Sequence, residues 1–190
     1  MRIMTGSLRG RILKTIEGDG YRPATGKVRE ALFSMLTSRG IVWDQTYILD
    51  LFAGSGSLGF EAISRGAAEV CFIENNPKAV QCLYKNIEKL RLFEQVSVVE
   101  QDVIQFLNQD SLFKLYQLVF IDPPYGGNRL ETTISCVVEK GWIAPEGYII
   151  AEVETTLRIN FFQLHPQLEL LSNRSYGQTR LLIWKTQKYV

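Results

Sequence analysis

Four acidic residues stand at or just beyond the ends of short apolar runs: Asp50, Glu74, Asp102 and Asp122. The first begins Asp50-Leu51-Phe52-Ala53-Gly54-Ser55-Gly56-Ser57-Leu58-Gly59, and the last begins Asp122-Pro123-Pro124-Tyr125. A single acid in such a place is ordinary turn chemistry or a helix cap. Four of them after successive strands of a parallel sheet line one edge, the edge where open α/β sheets bind their ligands.

The glycines at 54, 56 and 59 satisfy G-x-G-x-x-G, and Glu74 lies 20 residues after Gly54. Such a loop lets main chain approach a ligand closely, and an acid after the second strand can accept both hydroxyls of a ribose. This spacing alone leaves a nucleotide-dependent oxidoreductase open. Two features count against it. Asp50, four residues before the first glycine, disfavours a pyrophosphate and suits a cation such as a sulfonium or an ammonium. The chain also lacks an evident proton-transfer residue for hydride chemistry, having only His165, which precedes a proline.

Asp122-Pro123-Pro124-Tyr125 is the more specific signal. Proline has no N–H to donate, so the loop presents acceptors, the Asp122 carboxylate and the Pro123 carbonyl, followed at once by an aromatic ring. Acceptors beside a stacking ring suit a planar base with an exocyclic NH2 group. An amine conjugated to a base is a weak nucleophile, so alignment and desolvation against an electrophilic methyl must supply most of the rate. Acceptors around an NH2 group do not by themselves separate guanine from adenine.

The elements that must position these residues follow from hydrophobic periodicity. Residues 1–14 read as two extended pieces around Gly6-Ser7, a hairpin, and Val28, Ala31, Leu32, Met35 and Leu36 predict a helix over 26–38. Strands are expected at 47–52, 69–74, 96–99, 118–121 and 148–153, alternating with helices at 58–65, after Asn76-Pro77, at 104–107 and near 130–139. Residues 168–174 and 179–185 close the chain as an antiparallel hairpin around Tyr176-Gly177. Strand–helix alternation predicts an α/β fold with a doubly wound, mostly parallel sheet of seven strands. Trp43, Trp142 and Trp184 read as core or rim packing.

Charge is uneven. Residues 1–40 carry eight basic and three acidic residues, net +5, while the remaining 150 carry net −4. A basic arm on a mildly acidic body suits a polyanion. We expect a division into a basic hairpin-plus-helix extension at 1–40 and a catalytic domain at 41–190. Lys14 and Arg39 read as solvated surface. By itself the arm would also fit a non-catalytic RNA-binding module. No apolar run approaches the ~20 residues of a membrane-spanning helix, and the first residues have no signal-peptide core. Three scattered cysteines, Cys71, Cys82 and Cys136, argue against a disulfide scaffold or a metal site. A cytoplasmic, metal-free, monomeric protein is expected.

Phe-Ala-Gly-Ser-Gly at 52–56 with Asp-Pro-Pro-Tyr at 122–125 resembles the amino methyltransferases that use S-adenosylmethionine. Arg9-Gly10-Arg11, Arg22-Pro23-Ala24-Thr25 running into Val28-Arg29-Glu30-Ala31-Leu32-Phe33, and Leu58-Gly59-Phe60-Glu61-Ala62 with Ser64-Arg65-Gly66-Ala67 narrow the likeness to the bacterial 16S rRNA guanine-N2 methyltransferase family. The resemblance runs from about Arg2 to Lys185. It implies a Rossmann-like class I methyltransferase fold, S-adenosylmethionine as cofactor, and 16S rRNA as partner, within the small ribosomal subunit or an assembly intermediate.

It further implies cofactor contacts from Asp50, Phe52, Ala53, Gly54, Ser55, Gly56, Glu74, Asn75, Asp102, Val103 and Asp122, with Glu74 on the ribose and Asp102 on the adenine amino group. Asp122, Pro123, Pro124 and Tyr125 correspond to the catalytic loop. Arg9, Arg11, Arg22 and Arg29 are then expected on RNA phosphates. Gly26 stands where the family usually has an acid. An adenine-N6 methyltransferase is the nearest rival; protein glutamine methylation fits less well, because its signature usually begins with Asn.

Overall fold

The computed structural model describes residues 1–16, 26–109, 114–124 and 129–187. The apolar runs form strands β1 (Tyr47–Leu51), β2 (Glu69–Glu74), β3 (Val96–Glu100), β4 (Tyr116–Ile121) and β5 (Ile143–Glu154), with β6 (Leu168–Tyr176) and β7 (Thr179–Thr186) closing the chain. Helices α1 (Gly26–Ser38), α2 (Ser57–Ser64), α3 (Pro77–Leu90), α4 (Val103–Leu107) and α5 (Arg129–Glu139) separate them.

The seven strands lie in the order β3-β2-β1-β4-β5-β7-β6. β7 runs antiparallel to both β5 and β6, and the other neighbouring pairs are parallel. The chain reverses its direction of winding between β1 and β4, so their carboxyl ends flank the crevice at the switch point. Both faces are covered. One core holds Phe33, Leu36, Phe60, Phe72, Phe120 and Ile150; the other holds Leu49, Val119, Ile134, Val137, Trp142 and Trp184. Trp142 and Trp184 lie in the core, and Trp43 packs on Phe33 with ring centres 5.7 Å apart.

Local chemistry sets the boundaries. Asn76 caps α3 by accepting from the Lys78 N–H, with Pro77 in the first turn, where its missing N–H costs nothing. β5 begins five residues earlier than the periodicity predicts, because Ala144-Pro145-Glu146-Gly147 reads as a turn. It instead forms an irregularity in the ladder, with a register shift opposite Tyr116 and Leu118 and Glu146 at φ 60°.

The N-terminal hairpin is reduced to one antiparallel bridge, Arg2 with Ile12. Its main chain is docked elsewhere. The Met4 and Thr5 N–H groups donate to the buried Glu61 carboxylate, the Ser7 N–H to the Ser64 carbonyl, and the Leu8 N–H to Ser64 Oγ. A Cβ at Gly6 would lie 1.6 Å from the Ser64 carbonyl oxygen, so only glycine permits this approach. Ile3 and Leu13 are 1% and 2% exposed and belong to the same core as α1. The described part of 1–40 is therefore built into the body and is not a free appendage. Among the described residues, no helix is long and apolar enough to cross a membrane.

Candidate active site

The loop after β1 is shaped by left-handed backbone: Phe52 at φ 58°, Gly54 at 56° and Gly56 at 78°. For Phe52, a bulky non-glycine residue, that conformation is strained and persists only because the surroundings enforce it. The Ala53 N–H donates to the Ile73 carbonyl at 3.1 Å, and the Gly56 N–H to Ala53 at 2.8 Å. The third glycine has a packing role. A Cβ at Gly59 would lie 2.3 Å from the Phe72 ring, so its absence lets α2 sit directly on β2.

Glu74, at the end of β2, reaches across to this loop. Its Oε2 accepts the Gly54 N–H at 2.8 Å, and its Oε1 accepts the N–H groups of Asn75 and Asn76 at 2.9 and 2.8 Å. Asp50 is buried one strand away, accepting the Gly59 N–H at 3.0 Å. Burial drives its carboxyl up to about 8; the Gly59 bond opposes the rise and the Glu74 charge adds to it. An acid held this way is poised to ionise when a cation arrives.

Asp102 is the N-cap of α4, its Oδ1 accepting from Ile104 and Gln105 at 2.9 and 3.2 Å. Its Oδ2 faces Arg129 at 3.4 Å. Asp122 follows β4 across the crevice, its N–H donating to the Leu51 carbonyl at 3.5 Å. Burial raises its carboxyl well above the usual range, and the charges of Glu152 and Asp50 push the same way. Pro123 is buried and Pro124 exposed. Tyr125 and Arg22 lie outside the described residues.

Asp50, Glu74, Asp102 and Asp122 thus stand at the carboxyl edge of the sheet, as expected. The set of arginines is partly corrected. Arg9 and Arg11 are exposed, Arg11 donating to the Lys89 carbonyl at 3.1 Å. Arg29 is 4% exposed, donates to the Met1 sulfur and the Arg2 carbonyl, and lies in the field of Glu61 and Glu152. It has no surface to offer a phosphate; its charge serves the interior.

Sequence reasoning missed three buried polar residues that organise the site. Asn86, fully buried, accepts the Lys14 N–H at 2.8 Å and donates to the Lys14 and Ser55 carbonyls at 3.0 and 3.3 Å, tying the arm to the glycine loop. Glu61 holds the arm from α2, and Glu152 lies beside Asp122. A signal was present: Asn86 sits in the apolar stripe of α3, Glu61 in Leu-Gly-Phe-Glu-Ala-Ile, and Glu152 in Ile-Ile-Ala-Glu-Val. Polar residues at core positions must find partners or work there.

An acidic edge at the switch point, a strained glycine loop, and an inserted antiparallel β7 define a class I methyltransferase that uses S-adenosylmethionine; an all-parallel dinucleotide fold has the order 3-2-1-4-5-6 and no strand inserted in this way. Residues 1–185 match the family described as "Conserved hypothetical protein 95", and the chain belongs to that family. It is 40% identical over 159 residues to the ribosomal RNA small subunit methyltransferase D of Escherichia coli, covering 83% of this chain and 77% of that protein. A solved methyltransferase structure from Escherichia coli superimposes with a TM-score of 0.87 at 34% identity, over 100% of this chain and 99% of the other. An RNA methyltransferase from Salinibacter ruber, solved with S-adenosyl-L-homocysteine, shares the fold alone: TM-score 0.65, 14% identity, 89% of this chain and 96% of that one.

Proposed function

We propose that this protein transfers a methyl group from S-adenosylmethionine to the exocyclic N2 of a guanine in 16S rRNA of the small ribosomal subunit, in the cytoplasm. The observation that carries the reading is the pair of acids at the switch point: Asp50 after the cofactor-type loop of β1, and Asp122-Pro123-Pro124 across from it at the end of β4. The relatives named as small-subunit rRNA methyltransferases supply the substrate class.

The residues present fit the cofactor. Glu74 offers its carboxylate to the ribose hydroxyls, with Asn75 beside it. Asp102 Oδ2, released from Arg129, accepts from the adenine amino group. The Val103 N–H, which has no acceptor among the described residues, donates to the adjoining ring nitrogen. Asp50 would answer the ammonium group, and the main chain of Phe52 to Gly56 would hold the amino-acid moiety. When bound, S-adenosylmethionine supplies a methyl group on a sulfonium centre; the guanine N2 lone pair forms the new N–C bond as the S–C bond breaks, and one N2 proton departs.

Asp122 and the Pro123 carbonyl accept the two N2–H groups and turn the lone pair toward the methyl. Asp122, held at a raised affinity for protons by burial, Glu152 and Asp50, takes the departing proton. Tyr125 stacks on the base. Residues 1–40 contribute the RNA-contacting surface through Arg9, Arg11 and Arg22, and residues 41–190 the methyl transfer. The target nucleotide is reached in a splayed loop or by flipping.

Incubation with methyl-labelled S-adenosylmethionine and small subunits from cells lacking this enzyme, followed by nucleoside mass spectrometry, should place label in N2-methylguanosine. Label in N6-methyladenosine would replace the base assignment. Asp122→Ala should abolish transfer while cofactor affinity stays within several-fold; an active variant would remove Asp122 from the mechanism.

A further inference from the structure

A second carboxylate, Glu152, stands beside Asp122, and the mechanism above gives it no contact with the base. β4 and β5 are parallel, and Ile121 is in register with Ala151. The next residues along the two strands are Asp122 and Glu152, so the two acids are neighbours at the carboxyl edge. They share the face of Phe120 and Ile150, two residues back on each strand, which is also the face of Asp50, because Asp50 pairs with Phe120. The main chains of the two residues are one strand spacing apart, about 4.8 Å, and their carboxyls lie in each other's field, close enough for two side-chain heads to converge on one edge of a base.

Glu152 is 5% exposed. Arg29 of α1, itself buried, faces it and favours its charged form, and Thr179 of β7 donates a hydrogen bond to it. Burial pushes its carboxyl up to about 7 against these two influences. A carboxylate offers about four acceptor positions, so the bond from Thr179 leaves this acid, beside the reacting group, able to take a further donor.

Guanine and adenine differ where such an acceptor would meet them. Beside its exocyclic NH2, guanine carries an N1–H donor, whereas adenine carries a bare N1 lone pair. Asp122 alone reads only the NH2 group. Taking the guanine-N2 reading as its basis, we propose that Glu152 is the specificity-determining residue, its carboxylate accepting the guanine N1–H while Asp122 holds the N2 amino group. A base with a lone pair at N1 would set that lone pair against a buried carboxylate and leave the acid unpaired, a penalty that selects strongly. Arg29 acts here as a positioning residue whose charge favours the ionised form of Glu152.

2-Aminopurine separates the two contacts, because it keeps the N2 amino group and lacks the N1 hydrogen. Small subunits reconstituted with guanine or 2-aminopurine at the target position serve as substrates, with kcat/KM read for each. The wild-type enzyme should favour guanine by about tenfold or more. In Glu152→Gln, whose amide can donate to a bare N1, that ratio should collapse toward one or invert, while S-adenosylhomocysteine affinity changes little. If Glu152 only braces Arg29 and the fold, both substrates will slow by the same factor and the ratio will stand, which overturns the proposal. Equal use of the two bases by the wild type overturns it as well. Glu152→Asp, which keeps the charge but withdraws it by one methylene, covers the case in which the Gln variant does not fold; its guanine preference should fall too, and an unchanged preference counts against the proposal. Label in adenine, or in no base of the guanine-containing subunit, would instead refute the underlying guanine reading and is distinguishable from these results.

Discussion

The main-chain N–H of Gly54 donates to Glu74 Oε2 at 2.8 Å, so the end of β2 holds the loop that follows β1. The acid expected on a ribose is thus also a clamp on the glycine loop before any ligand arrives. Glu74→Ala removes acceptors from the N–H groups of Gly54, Asn75 and Asn76 together. S-Adenosylhomocysteine should bind at least tenfold more weakly by calorimetry, and stability should fall by about 1–3 kcal/mol. An unchanged dissociation constant would take Glu74 out of the cofactor site.

If Asp50 meets the cofactor as proposed, binding should depend on pH. With its carboxyl pushed up to about 8 in the folded protein, it is largely protonated at neutral pH when the site is free. The ammonium of a bound cofactor would favour the ionised form, so binding should release a proton. Affinity should rise with pH toward about 8, by at most tenfold per unit, and then level off. The heat of binding should differ between buffers of different ionisation enthalpy, and Asp50→Asn should abolish that difference. Stability runs the other way. An acid whose folded pKa is raised contributes fully below the ordinary carboxylate range, and its contribution is lost as pH climbs through about 8.

Asn86 holds Lys14 by both its main-chain groups and also reaches Ser55. Asn86→Leu removes the acceptor of the Lys14 N–H and a donor to the Lys14 and Ser55 carbonyls, the last of these in the interior. Urea denaturation should register a loss of about 3 kcal/mol, with amide exchange at Lys14 accelerated more than in β4. A change below about 0.5 kcal/mol would mean that water replaces the amide without cost.

The arginines separate by burial. Arg9→Ala with Arg11→Ala should reduce the slope of log affinity for rRNA against log salt by about one unit per lost phosphate contact. Arg29→Ala should leave that slope alone and lower stability by about 3 kcal/mol, since it strands the charge of Glu152 in the interior. A reduced slope in Arg29→Ala at wild-type stability would return Arg29 to the RNA surface.

Much of the fold was legible in the chain because local rules carried it. Val80, Leu83, Ile87 and Leu90 repeat at helical spacing and bury one face of α3, and Asn76-Pro77 marks its start whatever lies nearby. Leu118 to Ile121 is apolar throughout because β4 is covered on both faces. The strand-end acids were visible for the same reason: once strands and helices alternate, the carboxyl edge follows from connectivity. β5 was read too short because a Pro-Glu-Gly segment looks the same in a turn and in a bulge until a neighbouring strand is present.

What the sequence by itself determined is the order of elements, the acidic edge and the Asp122 loop, all written in spacing of a few residues. Only the tertiary structure decided which charges face water. Arg9 and Arg29 are alike as residues, yet one is exposed and the other lies 4% exposed beneath the arm, facing Glu61 and Glu152 from two other elements. The closeness of Asp122 to Glu152 likewise joins residues 30 apart, just past Ile121 and Ala151, which are in register between β4 and β5. Burial and like-charge proximity arise between elements distant in sequence, and those contacts, not the local pattern, set the proton affinities on which the chemistry of this edge depends.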